Sequence, residues 1–184
     1  MNKIWSLLRD YYVDRTGVAI IEECLKHPTS GDVVTLDVPG YCQTQDFTCG
    51  FVAGMMVTHS IYPNRSIDRF YRLCNPHKVY GMGTQKLAGA LRKNGVAVGI
   101  RDDLNHCSIR NAIDSGYPII TCVHTGDEEI DHWVVIYGYG VRPNRVFLAG
   151  NGFPYLNRKE YDFKFFSSEL WAPKGNGLIC WGKG

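Results

Sequence analysis

The chain has 184 residues, 45% of them hydrophobic and 21% charged, with 20 Lys and Arg against 18 Asp and Glu. That length and balance fit one domain around a sizeable apolar core. A formal net charge of +2 is too small to drive binding to nucleic acid or to an acidic membrane surface, and no window reaches the ~18 uninterrupted apolar residues of a membrane span.

The first residues, MNKIWSLLRDYY, are broken by Arg9 and Asp10 before a signal-length apolar core can form. The expectation is a cytoplasmic protein without an ordinary export signal, with specialised secretion left open. Residues 3–26 carry the spacing of one or two amphipathic helical segments, interrupted near Asp14 to Gly17 and stopped before Pro28. This divides the single domain into a helical extension, 1–31, and a core, 32–184.

DVVTLDVPGY alternates apolar and polar residues up to Pro39-Gly40 and reads as a short strand or extended arm. From Thr48 to about Ser60 the pattern is helical, yet it contains Gly50 and Gly54. Each costs a helix roughly 1 kcal/mol relative to alanine, so a helix that keeps them is expected to pack tightly on a neighbour. SIDRFYRLC follows as a helix capped by Ser66, and a third helix runs from about Gln85 to Lys93, capped by Thr84 and ended by Asn94-Gly95. Then come a strand over 96–101, a short helix over 107–115, and strands over 117–125, 132–140 and 145–150, the last two joined at Pro143-Asn144. Helix signal dominates the first half and strand signal the last third, which argues for an α+β fold with helices packed on an antiparallel sheet.

Seven cysteines are present (Cys24, Cys42, Cys49, Cys74, Cys107, Cys122 and Cys180), and no two form a CxxC pair. An odd number at irregular spacing suits neither a disulfide scaffold nor a zinc knuckle, so no metal or other cofactor is expected. Most of the thiols read as buried and reduced. Cys49 stands apart because it opens a helix, where unpaired N–H groups favour an anion and lower the pKa of a thiol.

A nucleophilic thiol needs a base. His132 opens the strand HWVVIYGYG behind the acidic loop GDEEID, a rigid position beside solvent, with Trp133 available to shield the imidazole from water. His124, at the end of another strand, is its rival. His59 lies ten residues along the nucleophile helix, about 15 Å away at 1.5 Å per residue, out of direct reach. His27, His77 and His106 fall at a helix end or in loops. Asn151, 19 residues after His132, closes the next strand. In a hairpin it would return beside the histidine and could orient the imidazole; alternatively Asn151-Gly152 is only a turn. Gln43, six residues before Cys49, could donate to a developing oxyanion together with the Cys49 backbone N–H, and Gln45 is the alternative donor.

The order Gln43, Cys49-Gly50, His132, Asn151 resembles that of papain-like cysteine peptidases. VPGYCQTQDFTCGFVAG, GTQKLAGALRKNGV, HWVVIYGYG and the ending SELWAPKGNGLICWG are more closely similar to the branch typified by bacteriocin leader peptidases, over about residues 36–181. The resemblance implies a papain-like fold and a cysteine peptidase or amide hydrolase acting on peptides or proteins. In it Cys49 attacks, His132 moves the proton, Asn151 orients His132 and Gln43 stabilises the oxyanion. An acyltransferase or transglutaminase-like enzyme on the same residues, and a binding domain that keeps only the fold, are the competing readings. This chain departs from the branch in having Asn151-Gly152 where aspartate and proline are usual. With no transporter segment in the sequence, a double-glycine leader is not carried over as the substrate. The oligomeric state is left open.

Overall fold

The computed structural model describes residues 18–20, 32–124, 131–151 and 158–183. Its elements begin with strands β1 (Val18–Ile20), β2 (Val33–Thr35) and β3 (Tyr41–Gln43). Helices α1 (Cys49–Ile61), α2 (Ile67–Cys74) and α3 (Thr84–Lys93) follow, then β4 (Val96–Arg101), α4 (His106–Asp114) and β5 (Ile119–His124). The chain ends with β6 (Asp131–Val141), β7 (Asn144–Ala149), β8 (Arg158–Asp162) and β9 (Gly177–Gly182). The fold is α+β, with the helices grouped early and the strands late, as the segregated signals predict. Among the described residues no helix is long and apolar enough to cross a membrane.

The sheet is antiparallel, in the order β4-β9-β5-β6-β7-β8. β6 is the longest strand, and β5 pairs only with its first half, from Asp131 to Ile136. The vacant half takes β2, with Thr35 opposite Gly138. A Cβ on Gly138 would stand 2.7 Å from the Val34 carbonyl oxygen, so only glycine permits that approach.

Both faces of the sheet are covered. α1 brings Phe51, Val52, Met55 and Met56 against Val135, Tyr137, Ala149 and Leu178. On the other face Ile109 and Ile113 of α4, with Phe166 and Trp171, cover Val134, Ile136 and Leu148. Burial on both sides is why HWVVIYGYG reads as an almost continuous apolar run. α1 is itself buried from Cys49 to Thr58, and its glycines are contact points. A Cβ on Gly50 would come within 2.9 Å of the Trp133 ring, and one on Gly54 within 2.9 Å of Phe70. Gly54→Ala would overpack that crossing at a cost of about 1–3 kcal/mol.

Two local expectations change. At Val18–Ile20, where apolar spacing predicts helix, the chain is a strand paired with β3; the rest of the extension, with Cys24 and His27, lies outside the described residues. α3 begins at Thr84 itself, capped by Gly83. Sequence periodicity gives no account of β8 and β9, because four of the five residues of RKEYD are charged and GLICWG is too short to separate strand from buried helix.

Candidate active site

Cys49 is the first residue of α1 and 7% exposed. The start of this helix is unusual in how its polar groups are used. Thr48 stands at the cap position, but its hydroxyl donates back to the Gln45 carbonyl at 2.8 Å instead of accepting from the helix. The first N–H groups of α1 therefore have no side-chain cap and remain available to an anion. Those of Cys49 and Gly50, together with the backbone N–H of Trp133, favour the Cys49 thiolate. Burial outweighs all three, and the thiol is held above its ordinary range. The helix-terminal field expected from sequence is present, and desolvation overrides it.

His132, second residue of β6, is affected in the matching sense. Burial pushes its pKa down, and hydrogen bonding with the Asn151 side chain pulls it partly back. Both shifts favour the uncharged forms, a thiol at Cys49 and an imidazole at His132. The contact with Asn151 is loose, since the Asn151 Oδ1 is buried with no donor in good hydrogen-bond geometry.

Asn151 lies where the hairpin predicts. Val135 faces Ala149 across β6 and β7, and continuing that register by two residues sets Asn151 beside Trp133 and next to His132. Fully buried, it ties three residues together. Its Nδ2 donates to the Cys49 carbonyl at 2.8 Å, its side chain meets His132, and its own carbonyl accepts from the Gln43 N–H at 2.7 Å. The turn reading of Asn151-Gly152 takes no account of these bonds. Among the described residues Cys49 and His132 are joined through Asn151 and the Trp133 backbone, without a direct hydrogen bond.

Gln43 ends β3, 9% exposed, and its Oε1 is buried with no partner. The side chain of Gln45 is exposed, and its carbonyl is taken by Thr48. Of the two glutamines only Gln43 is built into the group around Asn151.

The other histidines have different company. His124 is exposed and paired with Asp131 at 3.2 Å. His59 is held by the Tyr41 hydroxyl and the Arg65 carbonyl. His77 accepts from the backbone of its own turn, and His106 packs on Phe163.

Cys49 opens into a cleft of about 510 Å³, within the usual range for a ligand site. Phe47, Met82, Cys122, Asp131, Trp133 and the turn from Lys78 to Gly81 line it. The turn and Cys122 are additions that sequence reasoning misses. The one hint is glycine on both sides of Met82. The Trp133 ring lies on Gly50, and its indole N–H donates to the Met82 carbonyl at 2.9 Å.

Three solved structures are similar over nearly their whole lengths. The peptidase domain of Streptococcus ComA, a bifunctional ABC transporter involved in a quorum-sensing pathway, matches with TM-score 0.61 and 20% identity over 83% of this chain and 98% of that one. A double-glycine-motif protease from an AMS/PCAT transporter, solved in complex with the leader peptide, matches with TM-score 0.62 and 14% identity over 82% and 95%. The peptidase domain of Streptococcus mutans ComA matches with TM-score 0.55 and 18% identity over 76% and 95%. The fold is that of these peptidase domains. Neither a protein-family model nor a curated protein sequence matches the chain. The likeness lies in the peptidase-domain architecture.

Proposed function

We propose that this protein is a cysteine peptidase that cleaves peptide or protein substrates through Cys49, His132, Asn151 and Gln43. The observation that supports this most is the position of Asn151, which bonds the carbonyl of the nucleophile, meets the side chain of the base and bonds the backbone of the oxyanion donor. In this reading Asn151 links the nucleophile, the base and the oxyanion donor, and Cys49 opens into the cleft where a substrate would lie.

The chemistry starts from neutral groups. As the Cys49 Sγ attacks the scissile carbonyl, its proton passes to His132, and Asn151 holds the imidazole for the transfer. Negative charge grows on the carbonyl oxygen, where the Cys49 N–H and the Gln43 side chain donate. The intermediate collapses to a thioester on Cys49. The amine leaves with the proton from His132, and water attacks the thioester with His132 as base. The free thiols of Cys42, Cys74, Cys107, Cys122 and Cys180 support a reducing compartment, the cytoplasm, as the place of action.

Digestion of an unbiased peptide library by the wild type and by Cys49→Ala tests the reading. Cleavage products should appear with the wild type alone, and products formed equally by both proteins would overturn it. Repeating the digestion with an added amine separates hydrolysis from transfer of the acyl group.

A further inference from the structure

The turn opposite the nucleophile is built in a way that its own stability does not require. Val79 and Tyr80 are 74% and 83% exposed, and they are two of the four large apolar side chains exposed among the described residues. They sit together on one tip, and both line the cleft that contains Cys49. Exposed apolar side chains at one spot on a monomer mark contact surfaces more often than scattered ones do.

The tip is also held rigid. His77 and Gly81 exchange backbone hydrogen bonds of 2.9 and 2.8 Å. The His77 Nδ1 accepts from the N–H groups of Val79 and Tyr80 at 3.2 and 3.3 Å, and its ring stacks on Tyr80 with centroids 5.0 Å apart. Gly81 has φ +59°, and a Cβ there would press on the Phe47 carbonyl at 3.3 Å, so glycine seats the turn against the segment leading to Cys49. One residue further on, the Met82 carbonyl receives the Trp133 indole N–H, fixing the turn to the wall that packs on Gly50. Side chains presented on a fixed backbone cost less conformational entropy on binding than ones on a loose loop, and tyrosine is a favoured anchor at such contacts.

We propose that Val79 and Tyr80 form an apolar subsite that selects peptides with a large aliphatic or aromatic side chain close to the scissile bond. The inference rests on the peptidase reading for its occupant, because the tip is continuous with the cleft into which Cys49 opens and faces whatever that thiol attacks.

The test uses short fluorescent peptides in which one leucine or tyrosine is walked through a Gly-Ser-Lys background. Cleavage is followed with the wild type, Val79→Ser/Tyr80→Ser and Tyr80→Phe. Binding is followed by anisotropy with Cys49→Ala and with Cys49→Ala/Val79→Ser/Tyr80→Ser. Both side chains are exposed, so the variants should fold, and unchanged alkylation of Cys49 would verify an intact site. One position of the apolar residue should favour the wild type, and the double serine variant should lose that preference by about tenfold in KM and in affinity, with kcat little changed. Tyr80→Phe should keep it. Identical preferences in wild type and double variant, or cleavage with no positional preference at all, would overturn the subsite and leave the peptidase reading standing. Position-dependent binding that needs Val79 and Tyr80, without cleavage by the wild type, would support the subsite and remove the peptidase reading.

Discussion

Helix α1 carries a potentially reactive group at each end, and the two ends treat it oppositely. At the C-terminal end the Tyr41 hydroxyl donates to the His59 Nδ1 while the Nε2–H donates to the Arg65 carbonyl at 2.8 Å. Burial pushes the Tyr41 phenol up to about 12 and the imidazole down, so both remain neutral and fully partnered. At the N-terminal end the Asn151 Oδ1 and the Gln43 Oε1 are buried without a hydrogen-bond partner, while the buried Cys49 thiol has three backbone N–H groups beside it. A buried polar group without a partner costs about 1–3 kcal/mol. One end of the helix is finished as structure; the other is not, and keeps two buried acceptors without a donor.

The largest effects should fall at the unfinished end. Cys49→Ala should abolish turnover, and His132→Ala should lower kcat by roughly 10²–10⁴, both read in a peptide cleavage assay. Cys42→Ala should retain most of the rate, since Cys42 precedes the helix and lacks its N–H groups. Gln43→Ala should slow acylation by about 100-fold or more while leaving alkylation of Cys49 unchanged, because alkylation creates no carbonyl oxyanion. Equal slowing of both would make Gln43 a structural residue.

Asn151→Asp tests what the amide does beyond accepting from His132. Its Nδ2 is committed to the Cys49 carbonyl. Asn151→Asp would keep an acceptor for His132 but set a buried carboxylate against a carbonyl oxygen. Loss of activity together with a lowered Tm is expected, the Tm read by thermal denaturation. A variant with wild-type Tm would show that the Nδ2 bond has no weight.

At the finished end the same kind of substitution should act on stability alone. His59→Ala strands the Tyr41 hydroxyl and the Arg65 carbonyl and should cost about 1–3 kcal/mol in a urea titration with kcat unchanged. The smallest effect belongs to His124→Ala, which removes an exposed pair with Asp131 worth about 0–1 kcal/mol. If His124→Ala proves inactive instead, the base has been assigned to the wrong strand.

How far the sequence reveals this arrangement depends on the range of the forces involved. α1, the β6–β7 hairpin and the tight seats of Gly50 and Gly54 follow from periodicity and glycine placement, which are local. The juxtaposition of His132 and Asn151 follows from them, because an antiparallel hairpin brings its ends together. Burial is not local. The field at the start of α1 predicts a low thiol pKa, but burial of Cys49 reverses the sign. The donor role of the Asn151 amide is equally hidden, since it depends on where a carbonyl 102 residues away comes to lie. At Val18–Ile20 pairing with β3 decides the conformation over helical spacing.

The reversed sign gives a pH prediction. With its pKa raised, the Cys49 thiol gains reactivity toward an alkylating agent as pH rises through and beyond the ordinary thiol value near ~8.5, with no reactive plateau at neutral pH. Mass mapping of the alkylated cysteine across pH reads this directly, and a plateau below pH 7 would mean a preformed thiolate.

The central claim, that Cys49 attacks with His132 as its base, is tested most directly by trapping the acyl-enzyme. A cleavable peptide mixed with the protein, quenched in acid within the first turnover and mapped by mass spectrometry should show a thioester on Cys49 of the wild type. Gln43→Ala should accumulate it slowly and His132→Ala hardly at all. An adduct on another residue, or acylation of Cys49 at the wild-type rate in His132→Ala, would contradict the account.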